Sequence, residues 1–275
     1  MQRIRISERE STRTCAVSAY IESEWLKSKR SFVRKMVVLM PLVTVVLALF
    51  MMNGTYAREL AYNWWYLLFL PFTVAYVAGH LVSADRKKNF HGLWGIVQKK
   101  REAGYAKVVA GGLLVLGANV VFMVLIALLG GVADGAQVVE SQGVGFGNVR
   151  GLGLDENLLA GVLLTVTFVW QIPLFMLITM KTNTMISVVL SVFFNFGIAC
   201  LCAVGSFWWV PFAIPARLMC HVLGILPNGL MAEAGAYVGI SEGGFPIVLS
   251  GVLITAVLCV VMTGVLGKAF DRQEV

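Results

Sequence analysis

Residues that could carry out catalysis or bind nucleotide are few in this sequence. It contains no GxxxxGK[ST] loop, whose backbone N–H groups cradle phosphates, so the chain by itself is not expected to hydrolyse ATP. It contains no HExxH zinc signature, and His80, His91 and His221 are too scattered along the chain to be grouped as metal ligands. The glycines within residues 133–157 fit no phosphate-binding pattern. The sequence therefore predicts a protein that is not an enzyme and binds no metal or cofactor of its own.

Long apolar runs are the dominant feature of the chain. Hydrophobic residues make up 58% of its 275 residues and charged residues only 13%, whereas soluble domains have about 45–50% and about 25%. A helix needs about 20 apolar residues to cross a bilayer core of about 30 Å. The runs predict an all-α integral membrane protein with six spans, at about Met36–Met52, Trp64–Ala84, Val108–Val132, Leu158–Met180, Ser187–Phe207 and Pro246–Leu266.

Lysine and arginine give the predicted orientation. With six spans, both termini lie on one side of the membrane, and 19 of the 22 basic residues fall on that side. Arg58, Arg150 and Arg217 are the three on the other side. Loops rich in Lys and Arg remain in the cytoplasm. The sequence therefore predicts cytoplasmic termini, and its net charge of +7 suits anionic lipid rather than nucleic acid.

The N-terminal segment, residues 1–35, is predicted to lie in the cytoplasm. Within it, residues 16–35 mix aromatic and charged side chains, as in a basic amphipathic helix on the inner membrane surface. A solvated basic flank that only orients the first span is the alternative. The side chains singled out on this helix are Glu24, Trp25, Lys27 and Arg30.

The loop at residues 85–107 is the most informative stretch between spans. Two basic clusters, residues 86–88 and 99–101, bracket an apolar centre. A short helix here would offer an apolar face either to the membrane surface or to a groove in a cytoplasmic partner, and the sequence does not choose between them. The residues of this centre are Phe90, His91, Leu93, Trp94, Ile96 and Val97.

The predicted external segments and the tail complete the organisation. Residues 133–157 form a glycine-rich external loop. Residues 208–245 form an external or re-entrant segment that is too short and too interrupted to span. The transmembrane domain is predicted at 36–267, followed by a cytoplasmic tail at 268–275.

Polar residues inside the spans are few and mostly neutral. Asn119, Gln171 and Asn195 are the main ones at depth. Interhelical hydrogen bonding is the favoured interpretation, and a polar track for a substrate is the alternative. Ion-coupled carriers usually place ionisable groups in the membrane. Their scarcity here favours an external energy source.

Three stretches together resemble the permease subunits of type-2 ABC exporters, specifically those of lantibiotic self-protection systems of the MutE/EpiE and MutG kind. IESEWLKSKRSF (21–32) resembles the entry to that family's first span. YNWWYLLFLP (62–71) with KKNFHGLWGIVQKKREAGYAK (87–107) is similar to its second span and cytoplasmic loop. PARLMCHVLGILPNGL (215–230) resembles the external element before its last span.

The resemblance implies a type-2 ABC permease fold in a bacterial cytoplasmic membrane. It implies two copies of a cytoplasmic ATPase that bind ATP and Mg²⁺, a second related permease subunit, and a coupling helix within residues 86–101. The implied cargo is a cationic, membrane-active peptide captured from the membrane. A drug, lipid or ion as cargo, an ATP-independent immunity protein and a membrane enzyme are the alternatives. The external candidates for substrate contact are Trp208, Trp209, Arg217 and Asn228.

Overall fold

Six helices long and apolar enough to cross a membrane are found in the described part of the chain, which confirms the predicted all-α membrane fold. The structure is a computed structural model that describes residues 18–29, 31–51, 57–86, 100–140, 153–230 and 244–272. Its helices are α1 (residues 18–29), α2 (Phe32–Met51), α3 (Ala57–Trp64), a π-helical turn (Trp65–Phe69), α4 (Leu70–Arg86), α5 (Lys100–Glu140), α6 (Leu154–Val169), α7 (Gln171–Lys181), α8 (Thr184–Cys202), α9 (Ile214–Val222) and α10 (Gly244–Asp271).

Both ends of the described chain lie at the same face of the helix bundle, as six crossings require. Helix α1 contacts the end of α4 and the start of α5 through ion pairs. The end of α10 contacts the start of α5, where Arg101 and Asp271 form an ion pair of 2.6 Å. We call this end of the bundle the basic face and the other end the opposite face.

The second span, formed by α3, the π turn and α4, lies at the centre of the bundle. Helix α4 packs against α7 and α8, while α2 and α10 both pack against α5. Close approach depends on small residues: a Cβ added to Gly79 of α4 would lie 2.6 Å from the Cγ2 of Thr184 in α8. The spans are therefore held by backbone proximity, as is common where lipid supplies no hydrophobic drive.

Two spans are interrupted at positions that prolines explain. In the second span, the N–H of Leu70 donates to the carbonyl of Trp65, five residues back, and Pro71 follows directly. Proline has no N–H to donate, and a widened π turn accommodates the missing bond. In the fourth span, α6 ends at Val169. Pro173 lies four residues later and has no N–H to donate to the Val169 carbonyl.

The helices on the basic face extend beyond the predicted apolar runs. Helix α2 begins at Phe32, inside the segment 1–35 that was assigned to the cytoplasmic N-terminus. Helix α4 continues to Arg86 and α5 begins at Lys100, so both enter the predicted loop 85–107. A helix satisfies its own backbone and needs apolar side chains only within the hydrocarbon. Its ends therefore do not coincide with the ends of the apolar run.

Three other predicted boundaries differ from the observed helix ends. Helix α5 continues to Glu140, within the predicted loop 133–157. Helix α8 ends at Cys202, before the predicted Phe207, so the segment assigned to 208–245 begins earlier. Helix α10 runs to Asp271, past the predicted boundary between the membrane domain and the tail 268–275.

Candidate functional site

The residues proposed to meet a cytoplasmic partner lie between two described helices. Helix α4 ends at Arg86 and α5 begins at Lys100, so the structure describes the flanks of this segment. Residues 87–99 themselves lie outside the described residues. They include Phe90, His91, Leu93, Trp94, Ile96 and Val97.

Four charged residues meet beside those flanks, and we call them the charge cluster: Glu24, Lys27, Asp85 and Lys107. The Lys107 side chain is 0% exposed. Its ammonium lies 2.9 Å from Glu24 Oε2, pairs with the Asp85 carboxylate, and donates to the carbonyl of Leu81 at 3.0 Å. A lysine has three N–H donors, and this buried ammonium is surrounded by three oxygens, two of them from carboxylates.

Lys27 closes the charge cluster from its outer side. Its ammonium lies 2.7 Å from Glu24 Oε1 and 3.5 Å from Asp85 Oδ1. Burial opposes the charge of Lys27, but the hydrogen bond and charge of Glu24, together with Asp85, outweigh it and raise the pKa of Lys27 above its ordinary value. Two carboxylates and two ammonium groups thus alternate in one neutral group.

The ion pairs themselves must offset the cost of burying these charges, because the helix dipoles do not offset it. Asp85 lies in the last turn of α4, where the helix dipole disfavours a negative charge. Lys107 lies two turns inside α5, beyond the reach of that helix's end effect. Taking charges out of water costs several kcal/mol per ion unless each is paired and hydrogen-bonded. The alternating arrangement gives each of the four charges a partner of opposite sign.

Helix α1 turns a polar face inward. Glu24 and Ser28 are buried, while Trp25 is 40% exposed and Leu26 more so. An amphipathic helix with its apolar side chains facing outward at the membrane surface suits the interface with lipid. Residues 18–29 of the predicted surface helix 16–35 are helical, its position on a membrane surface stays a prediction, and Arg30 lies outside the described residues.

The corner between α1 and α2 is held by side-chain hydrogen bonds. The Arg34 guanidinium lies 4.4 Å from the centre of the Trp25 ring and donates to the Trp25 carbonyl at 3.0 Å and to Ser28 Oγ at 3.2 Å. Ser31 Oγ lies 2.7 Å from Nε2 of His80 in α4. The corner is therefore joined to the second span as well as closed on itself.

The candidates on the opposite face have different surroundings. Trp209 is 54% exposed and Trp208 is half-buried. Asn228 is exposed, and its Oδ1 accepts from the N–H of Leu230 at 3.1 Å. These three side chains are at least partly accessible to a substrate on this face.

Arg217 was singled out on the same face, but it is buried at 4% exposure. Its Nη1 donates to the carbonyls of Ala203 at 3.3 Å and Val204 at 3.4 Å. These carbonyls follow the end of α8, where helical carbonyls have no partner within the helix. Burial lowers the pKa of Arg217 from its ordinary value. The contacts of Arg217 are thus those of a structural cap that holds α9 against α8.

Neutral polar residues join the spans at depth. Gln171 and Asn195 exchange two amide hydrogen bonds of 2.9 Å. The indole N–H of Trp65 donates to Asn119 at 2.8 Å, and Asn119 donates to Thr165 at 2.9 Å. The prediction of interhelical hydrogen bonding is confirmed for all three amides. They connect the second, third, fourth and fifth spans.

Sequence reasoning missed the role of Lys107 and Asp85. Both were placed within the loop 85–107, and Lys107 was only counted among its basic residues. The available signal was its position: Lys107 lies between Ala106 and Val108, at the start of a long apolar run. An ionisable residue inside such a run is costly and therefore suggests a specific partner.

A comparison with known protein families gives a match. The family described as "ABC-2 family transporter protein" matches residues 20–198, well over half of the chain and including the charge cluster. No curated protein matches the chain, and no solved structure does. Among the residues that the structure describes, no group of three or more His, Cys, Asp or Glu could hold a metal ion. The chain belongs to the ABC-2 family of transporter proteins, as a membrane-spanning permease subunit.

Proposed function

We propose that the chain is the permease subunit of an exporter that removes a cationic, membrane-active peptide from the membrane and so gives protection against it. The charge cluster is the observation that carries this proposal. It joins the surface helix α1 to both flanks of residues 87–99. Because ion pairs fix both flanks of this segment, it suits a site where a partner applies force.

The partner proposed for this segment is a cytoplasmic ATPase, bound in two copies beneath a pair of permeases. This chain has no phosphate-binding loop of its own, which supports an energy source in another chain. The second permease would be a related subunit or a second copy of this one. The excess of Lys and Arg supports placing the basic face, with both termini, in the cytoplasm of a bacterial cell.

The proposed cargo is a lantibiotic, and three observations support it. The stretches at 21–32, 62–71, 87–107 and 215–230 resemble lantibiotic-protection permeases. The opposite face exposes Phe207 and Trp209 beside the start of the segment that carries α9, and aromatic residues at this level contact interfacial molecules readily. The spans contain few ionisable residues, as suits a cargo taken up from lipid rather than a dissolved ion.

The test is the double variant F90A/W94A, studied in membranes of the cell that expresses the chain together with its ATPase. Apolar anchor residues of an interface commonly contribute about 2 kcal/mol or more each. We therefore expect the tagged variant to insert normally but to copurify far less ATP-hydrolysing activity, with a corresponding loss of resistance to a cationic lanthionine peptide. The matched control is F50A/F193A, which removes two aromatic side chains that are exposed on the spans.

Each outcome separates one part of the proposal from the others. Normal copurification of ATPase and normal resistance in F90A/W94A would refute the docking segment. Resistance that survives deletion of the ATPase would indicate an ATP-independent immunity protein. ATPase copurification without any peptide resistance in the wild type would retain the exporter and replace its cargo by a drug, lipid or ion.

A further inference from the structure

We infer that Lys107, Glu24, Lys27 and Asp85 are positioning residues that make α1 move together with the ends of α4 and α5. A displacement of residues 87–99 would then reach the first span through α1. This inference rests on the proposed function, in which an ATPase binds at that segment. It adds the residues that transmit the displacement and the path that it takes.

The first step is the set of ion pairs that cross from α1 to the bundle. Glu24 of α1 pairs with Lys107 of α5 at 2.9 Å, and Lys27 of α1 lies 3.5 Å from Asp85 of α4. Lys107 also pairs with Asp85 and donates to the carbonyl of Leu81, so it joins α4 and α5 to each other. One buried ammonium therefore connects all three helices at the base of residues 87–99.

The second step is the corner that leads from α1 into the first span. The N–H of Ser31 donates to the Ser28 carbonyl at 3.0 Å, and Ser31 Oγ accepts from the N–H of Val33 at 3.2 Å. Arg34 of α2 donates to the Trp25 carbonyl and to Ser28 Oγ. Because these bonds join the last turn of α1 to the first turn of α2, a movement of α1 is passed to the first span.

The third step is that the charged residues joining the helices are buried and paired. A buried ion pair with one partner removed is strongly destabilised, so the paired arrangement strongly resists separation of the helices. The lipid-facing side of α1, by contrast, exposes Trp25 and Leu26. Helix α1 is thus held to the bundle through its polar face, while its apolar face is exposed.

The decisive variant is E24M/K27M, studied in the assembly with its copurified ATPase. It removes one charge of each sign from α1 and leaves the pair of Asp85 and Lys107 intact. Hydrogen exchange is compared with and without ATP plus vanadate. In the wild type, residues 18–29 and the ends of α4 and α5 should change their exchange together. In E24M/K27M, the helix ends should still respond, while the response of residues 18–29 falls by about tenfold, within the range expected for changes in a coupling network.

The matched control is E22M/K29M, which makes the same two types of substitution at exposed positions of the same helix. Its α1 should respond as in the wild type. D85N/K107M breaks the same links from the bundle side, also without a change of net charge, and should likewise uncouple α1. It provides a second test if E24M/K27M does not assemble.

Two results would overturn the inference. One is a full α1 response in either uncoupled variant, and the other is a wild type in which the ends of α4 and α5 respond and α1 does not. In both cases the ATPase still copurifies, so the proposed function stands. Absence of ATPase from the wild-type assembly would instead overturn the proposed function and the inference together.

Discussion

Replacing Lys107 by methionine should be one of the most destabilising single changes on the basic face. Methionine has a similar length and fits an apolar setting, so packing changes little. The substitution removes the charge and all three of the ammonium's contacts, to Glu24, Asp85 and the Leu81 carbonyl. The side chains of Glu24 and Asp85 are only 6% and 10% exposed, and only Lys27 would remain to pair with them.

The expected loss of stability follows from leaving two buried carboxylates with a single ammonium group. Breaking a buried pair by removing one partner costs about 3–5 kcal/mol, so we expect the free energy of unfolding to fall by about that amount in K107M. D85N/K107M removes one charge of each sign, and Glu24 keeps its partner Lys27 at 2.7 Å. Because no carboxylate is then left unpaired, we expect a loss of roughly half as much or less.

Reversible unfolding by SDS in mixed bicelles, followed by tryptophan fluorescence, measures both variants against the wild type. Comparing K107M with D85N/K107M separates the effect of the unpaired charge from the effect of lost packing. If K107M unfolds within about 1 kcal/mol of the wild type, or if D85N/K107M is as unstable as K107M, the buried charge does not hold these helices as argued.

Three further predictions use the same unfolding measurement. Q171L leaves Asn195 Oδ1 without its donor, although Asn195 Nδ2 still donates to the Ser191 carbonyl, and should cost about 1–2 kcal/mol. Q171L/N195L leaves no such oxygen and should cost less; equal losses would show that the amide pair is not a unit. G79A places a Cβ 2.6 Å from a methyl group of α8 and should cost about 1–3 kcal/mol, whereas G112A meets nothing within 4 Å and should be neutral or stabilising. The raised pKa of Lys27 means that its stabilising contribution is fully present below its ordinary pKa of 10.5 and is lost as the pH rises through the raised value. The wild type should therefore lose more stability above that pH than K27M does, and parallel pH profiles would contradict the assignment.

The sequence predicts the spans well and the charge cluster poorly, for a physical reason. Apolar runs report a local quantity, the length of helix that hydrocarbon accepts. The role of Glu24 depends on helices whose residues lie far along the chain, so its position on a basic surface helix suggested exposure to water. Arg217 shows the same limit, because its burial depends on the carbonyls at the end of α8. A coupling helix within residues 86–101 was assigned to a partner from sequence alone, and that assignment stays a prediction.

The polar contacts of the bundle differ in strength with depth, and this difference bears on how such a protein could move. Within the spans they are neutral, as between Gln171 and Asn195, and such contacts in membranes are worth only about 0.6 kcal/mol on average. At the basic face they are charged, and removing one partner of such a buried pair costs about 3–5 kcal/mol. Helices can therefore exchange neutral partners in the membrane at low cost while the charge cluster holds their ends together. On the proposed function, a force applied at residues 87–99 would then displace the basic face as a block and change the packing mainly within the membrane, where the proposed cargo would have to pass.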